Sequence, residues 1–202
     1  IVSYLMGEVS NYPLSLNARS EEALMSAARL LRAYHDASEG FLAAEISDEL
    51  WQLPSRAPRE VVCHGDFAPY NVVLNGQSAV GMIDFDTAHP GPRSWDLAYA
   101  LYRWAPFTNP VNADGFSELA GQIARGKHFC DAYGLSIGER VGLAGAISER
   151  LRLLVEFMVH QAADGSANFA ANLRDGHHLG YIADREYVDG HREAIDAGLA
   201  GA

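Results

Sequence analysis

Between Val61 and Asp86 the chain reads VVCHGDFAPYNVVLNGQSAVGMIDFD. VVC, NVVL and AVGMID are apolar runs of strand length, and Asn75-Gly76 between the last two signals a tight hairpin turn. His64, Asp66, Asn71, Asp84 and Asp86 stand at the ends of these runs. A hairpin returns its two ends to one place, so Asn71 and Asp84 become neighbours despite their separation in sequence. Most of the remaining chain has helical periodicity. The fold must therefore set a small sheet on a mostly helical body, which is an α+β architecture.

The flanking pattern supplies that body. Leu24, Ala27, Ala28, Leu31 and Tyr34 recur at helical spacing from Ser20 to about Ala37, with Ser20 as N-cap. IVSYL reads as a short strand ended by Gly7, and LPSRAPRE as a loop because two prolines break any regular pattern. HPGPR reads as a second loop, after which Ser94 caps a helix to about Trp104. A helix from near Asp114 is expected to stop at Gly134. Another is expected from about Ser136 to Ala163, interrupted near Gly142 and Gly145, with shorter helices to about Leu199. No internal repeat or low-complexity linker divides residues 1–202, so they are read as one unit.

The polar set suits one reaction type. Phosphoryl transfer needs a carboxylate to orient the attacking hydroxyl, and oxygen ligands from two nearby segments to hold a divalent metal on the nucleotide phosphates. Asp66 can serve as the first, and Asn71 with Asp84 as the second. HGDFAPYN, then IDFD, then SWDLA resemble the aminoglycoside phosphotransferase and choline kinase-like family, distant relatives of protein kinases. The D-x-x-x-x-N spacing is that of the kinase catalytic loop. SYLMGEV is similar to that family's interlobe hinge, ARLLRAYHDA to the helix after it, and ERLRLLVEF and HREAI to its helical substrate lobe.

The resemblance implies the mainly helical C-terminal lobe of a protein-kinase-like fold, with a small catalytic β-hairpin. It implies an enzyme that phosphorylates an alcohol group, with ATP or GTP as donor and Mg²⁺ as cofactor. It implies Asp66 as catalytic base, Asn71 and Asp84 as metal ligands, and His64 and Asp96 as braces of the catalytic loop. The backbone of Tyr4, Leu5 and Met6 falls at the adenine-binding hinge. Asp86 stands where protein kinases have glycine, and its part as a further metal ligand is left open.

Plainer readings compete at single positions. An isolated Asp in a loop is usually a turn-former. Asp96 near a helix start also favours the helix dipole. The Asp84–Asp86 pair alone would also fit a glycosyltransferase-type metal site, which nothing else in the chain supports. His177-His178 reads as a solvated turn, and Cys63 as a small buried apolar group. For the acceptor, Tyr99, Tyr102 and Trp104 follow the hairpin on a helix, while Glu149, Glu156 and Asp164 lie on the long helix. Of these, Tyr102, Trp104 and Glu156 are the candidate acceptor-binding set. Carboxylates and aromatic faces suit an amine-bearing molecule, although aromatics at helical spacing are more often core.

Composition narrows the partners. A formal net charge of -11 disfavours nucleic acid and anionic lipid. No apolar run reaches membrane length, and Cys63 and Cys130 match no metal spacing, which points to a reduced, cytoplasmic setting. The partner expected is a small hydroxylated metabolite or antibiotic, cationic in the amine-bearing case. No G-x-G occurs, and Lys127, late in the chain, is the single lysine. The phosphate-gripping N-terminal lobe of a kinase-like enzyme is thus absent from these residues, and the isolated chain is expected to be a poor kinase. A non-catalytic nucleotide-binding or interaction module of the same fold, and a metal-dependent phosphohydrolase, are the alternatives.

Overall fold

The computed structural model describes residues 4–43 and 51–201. It is α+β, with two separate two-stranded antiparallel sheets and a body of helices. The short helix α1 (Leu16–Arg19) leads directly into α2 (Glu21–Glu39). Ser20 caps α2 by accepting the Ala23 amide at 3.2 Å, and Glu21 and Glu22 complement the positive end of the helix. Leu24, Ala27, Ala28, Leu31 and His35 form its buried face. The alanines on this face let neighbouring elements approach closely.

The first sheet pairs β1 (Val61–Cys63) with β4 (His89–Gly91), and the second pairs β2 (Val72–Asn75) with β3 (Ser78–Met82). The Asn75-Gly76 turn forms as expected, with Gly76 at φ +62°. HPG is thus a strand and not a loop. Pro90 lacks an amide, but a two-stranded sheet consists of edges, where proline is tolerated. Its carbonyl accepts the Arg56 amide at 2.8 Å. Residues 1–3 of the expected first strand lie outside the described residues, and 4–6 are not a strand. The pairing occurs just beyond Gly7, where Glu8 and Leu74 exchange both backbone bonds at 2.8 and 2.9 Å. Gly7 is needed there, because a Cβ would sit 2.4 Å from the Leu74 carbonyl oxygen.

Helix α3 (Arg93–Trp104) is buried from Asp96 to its end. Its N-cap is Pro92 and not Ser94. The first amide of the helix is served instead by Glu60, which accepts the Arg93 N–H at 2.9 Å. Helix α4 (Leu119–Tyr133) begins later than Asp114, since Asn109 and Asn112 bind the backbone at 111 and 114 and hold that segment in turns. It ends as expected at Gly134, at φ +90°.

The expected break at Gly142 separates α5 (Ile137–Arg140) from α6 (Leu143–Ala163), whereas Gly145 continues the helix. Next come α7 (Ala167–Arg174), α8 (His177–Gly190) and α9 (Arg192–Ala200). His177 and His178 therefore open a helix and do not form a turn. A continuous apolar cluster includes Leu24, Leu31, Phe67, Leu97, Leu101, Trp104, Phe107, Phe129, Ile147 and Leu151. Cys63 and Cys130 are buried and free. Among the described residues, no helix is long and apolar enough to cross a membrane.

Candidate active site

The centre of the site is the loop leaving β1. Asp96, one turn into α3, is fully buried and collects three donors. Its Oδ2 accepts the His64 amide at 2.7 Å and His35 Nε2 at 3.0 Å, and its Oδ1 accepts the Gly65 amide at 2.9 Å. Burial alone would push this carboxyl up, but the His35 hydrogen bond, the neighbouring imidazoles and the His64 amide outweigh it and bring it down to about 2. His35 is oriented from its other side by Tyr133, whose hydroxyl lies 2.6 Å from Nδ1. Asp96 thus ties down the loop after β1 through two backbone amides.

Gly65 adopts φ +82°, and a Cβ there would meet the Thr87 carbonyl oxygen at 2.4 Å. Its own carbonyl accepts Arg150 Nη2 from α6 at 2.7 Å. His64 ties the loop to the second sheet. Its Nε2 donates to the Ile83 carbonyl at 3.0 Å, so Nδ1 is the acceptor for the Asp66 amide at 3.3 Å.

Asp66 is largely buried, and both oxygens are engaged. Oδ1 accepts the Tyr70 hydroxyl at 2.6 Å, and Oδ2 accepts Asn71 Nδ2 at 3.0 Å. Burial raises its pKa above the ordinary carboxylate value, and the Tyr70 hydrogen bond opposes that rise. Tyr70 also meets the Tyr99 hydroxyl at 3.0 Å. Removing the Tyr70 hydroxyl should therefore disfavour the ionised form of Asp66. In Tyr70→Phe the acidic limb of any Asp66-dependent activity is expected to move to higher pH, as read from kcat/KM against pH. An unmoved limb would detach Tyr70 from this carboxylate.

Asn71 is buried, and its amide nitrogen is committed to the Asp66 carboxylate and carbonyl, which leaves Oδ1 as the oxygen available to a ligand. The Asn71 carbonyl accepts the Ile83 amide at 2.9 Å, so the backbone brings Asp84 to within one residue of this pairing. Asp84 is exposed, without a side-chain partner among the described residues, and at φ +64°. No other described non-glycine residue has positive φ. Such conformations cost about 1–3 kcal/mol and persist where the surroundings fix them.

An amide oxygen and a free carboxylate form a hard-oxygen donor pair that fits Mg²⁺, which takes its remaining ligands from phosphates and water. Asp86, also exposed, lies beyond this pair at a cavity with Tyr34, Trp51 and Phe85. At the expected hinge, Tyr4 and Met6 are exposed, while Leu5 packs against β3 at Gly81.

The expected acceptor residues are not brought together. Trp104 is fully buried and packs on Phe67, so its role as an acceptor contact is corrected to core packing. Tyr102 is buried, with its hydroxyl donating to Asp184 at 2.8 Å, at the wall of a cavity beside α8. Glu156 is ion-paired with Arg152 and borders a different cavity with Trp95 and Phe157. Glu149 also pairs with Arg152, at 2.7 Å.

Four contributors were missed from sequence: His35, Tyr70, Arg150 and Arg103. His35 and Arg150 each interrupt an apolar helical stripe, after Leu24, Ala28 and Leu31 in one case and beside Ile147 and Leu151 in the other. A polar residue on a core face was the available signal.

A helical body carrying two small sheets, with an asparagine and acidic residues on the segments that join one sheet to the other, is the architecture on which the comparisons bear. Residues 9–133 match the family model described as APH, phosphotransferase enzyme family, and the chain belongs to that family. It is 28% identical over 193 residues to the trifolitoxin immunity protein of Rhizobium leguminosarum bv. trifolii, covering 90% of this chain and 70% of the relative. Over 57 residues it is 42% identical to a homoserine kinase of Zymomonas mobilis subsp. mobilis, covering 28% of this chain and 17% of the relative. A similar stretch of 57 residues is 40% identical to an uncharacterized protein of Deinococcus radiodurans, of which it spans 16%. No solved structure matches.

Proposed function

We propose that this chain is the C-terminal lobe of a protein-kinase-like, cytoplasmic enzyme. It transfers the γ-phosphoryl group of ATP or GTP, with Mg²⁺, to a hydroxyl of a small molecule. The observation that carries the reading is the Asp66 carboxylate, held by Tyr70 and Asn71 on a loop that Asp96 pins through two amides. A carboxylate so fixed can orient a hydroxyl and receive its proton as the hydroxyl oxygen bonds to phosphorus. The bond from phosphorus to the bridging oxygen then breaks, and the nucleoside diphosphate leaves.

Asn71 Oδ1 and Asp84 would hold the Mg²⁺ that neutralises the phosphate oxygens, and Tyr4 to Met6 would meet the purine. The remaining work is positioning and charge stabilisation. Lys127 is not available for it, being paired with Asp131 at 2.7 Å on α4. A phosphate grip from outside these residues is therefore part of the proposal.

One relative is named a homoserine kinase and another a trifolitoxin immunity protein, so a hydroxylated amino acid and trifolitoxin are the two acceptors to try first. An acceptor screen on the longest expressible form, reading nucleotide consumption with and without acceptor, distinguishes them. Consumption that no acceptor stimulates would favour a phosphohydrolase, and none at all a non-catalytic module.

The metal assignment has its own test. Asp84→Ala is expected to abolish Mg²⁺-dependent nucleotide binding in calorimetry, and Asn71→Ala to weaken it. Binding that is equally strong in Asp84→Ala would remove Asp84 from the metal.

A further inference from the structure

Taking Asp66 as the group that receives the acceptor's proton, and so resting on the reading above, we propose that a second, built subsite lies between α3, the 109–114 segment and α8. It binds a small zwitterionic hydroxy compound, with Arg103 taking its carboxylate and Asp114 its ammonium group.

The cavity there measures ≈ 390 Å³, at the small end of ligand sites, and suits a molecule of amino-acid size. Tyr102, Arg103, Asn112, Asp114, Tyr181 and Asp184 are among its lining residues. Arg103 is only 7% exposed, and phenol rings cage its guanidinium. The central carbon lies 4.0 Å from the Tyr12 ring centre, 5.3 Å from that of Tyr102 and 5.6 Å from that of Tyr70. The Nε is buried and has no hydrogen-bond partner.

A guanidinium keeps its charge in a protein and offers five donors in a planar fork that matches a carboxylate. Burying one normally goes with a close anionic partner. Here the ion pair is open, with Nη2 3.6 Å from Asp114 Oδ2, beyond hydrogen-bond length.

Asp184 cannot close it. That carboxylate already accepts the Tyr102 hydroxyl, the Asn109 amide and Asn112 Nδ2, each at 2.8 Å. It is the scaffold of the cavity wall. The cavity therefore presents one cation and one partly exposed anion, loosely matched, among phenol faces.

A purely cationic guest would leave Arg103 as it is and compete with it for Asp114. A purely anionic guest would leave Asp114 facing an added negative charge. A zwitterion gives each side a partner without changing the net charge of the site. Tyr70 links this cavity to the reacting group, since its ring faces Arg103 while its hydroxyl bonds Asp66 at 2.6 Å. A hydroxyl carried on the guest can thus approach Asp66 by displacing the Tyr70 hydroxyl.

The test is nucleotide-free calorimetry on the full chain with three probes: 2-amino-4-hydroxybutanoate, 4-hydroxybutanoate and 3-amino-1-propanol. The zwitterion should bind about tenfold or more tightly than either analogue, the scale of one charge-assisted hydrogen bond. Asp114→Asn should remove its advantage over 4-hydroxybutanoate, and Arg103→Lys its advantage over 3-amino-1-propanol. Asp114 is partly exposed, so its variant tests the idea even if Arg103→Lys fails to fold in a melting control.

Equal binding of the three probes, or an advantage over 4-hydroxybutanoate that survives Asp114→Asn, would overturn the proposal. Zwitterion selectivity without any phosphoryl transfer by the longest expressible form would keep this subsite and sink the catalytic reading. Efficient transfer to an acceptor lacking either charge would do the reverse.

Discussion

In the longest expressible form, Asp66→Asn should lower acceptor-dependent turnover by about 10²–10⁴-fold, the usual contribution of a positioned general base, while leaving nucleotide affinity and stability nearly intact. The environment explains why the two effects separate. An asparagine in this place can still accept the Asn71 amide with its oxygen, and its own amide can donate to the Tyr70 hydroxyl, which is free to turn its proton toward Tyr99. The loop above it is held by Asp96 and Arg150 and not by Asp66 itself. What disappears is the capacity to receive a proton. Turnover within about threefold of wild type, far below the general-base range, would dismiss Asp66 as the base. A collapse in melting temperature would instead make it a structural residue.

Asp96→Ala should have the largest effect on stability, about 3–5 kcal/mol, as for breaking one side of a buried charged network. It strands the His64 and Gly65 amides and His35 Nε2 in the interior. The pH dependence supplies a control. The folded Asp96 carboxyl is lowered to about 2, against about 3.9 for an unstructured aspartate. Its charge therefore contributes stability that is fully present above about pH 4 and is lost as pH falls toward 2. Urea unfolding of Asp96→Asn and wild type should accordingly converge as the pH is lowered through that window. A deficit independent of pH would mean that shape, and not charge, holds the loop.

Legibility in the sequence followed the distance between partners. The approach of Asn71 and Asp84 spans one hairpin, so the turn signal was enough to expect it, and the Ile83 amide bonds the Asn71 carbonyl accordingly. The Asp66–Asn71 hydrogen bond was not foreseen. The Ser20 cap and the Gly134 and Gly142 breaks were equally local, because each is decided by its own backbone. The partners of Asp96, Gly65 and Arg103 come from elsewhere in the chain. His35 meets Asp96, Arg150 meets Gly65, and Tyr12 packs over Arg103, and no periodicity encodes such meetings.

Two local readings failed because tertiary context prevailed over propensity. The prolines of HPGPR signalled a loop, yet a two-stranded sheet offers edges on which they fit. Trp104 looked like a binding aromatic and is instead the centre of a core.

The Arg150 bond to the Gly65 carbonyl bears on how the protein matures. The family-matched segment, residues 9–133, ends before Arg150 is reached. During synthesis the HGD loop therefore leaves the ribosome well before the residue that clamps it, and it must wait for α6 to be completed and docked. Termination after α3 but short of α6 would yield a product that contains every motif residue yet lacks the clamp on Gly65. Loss-of-function changes are accordingly expected to occur in α6 as well as at the motif.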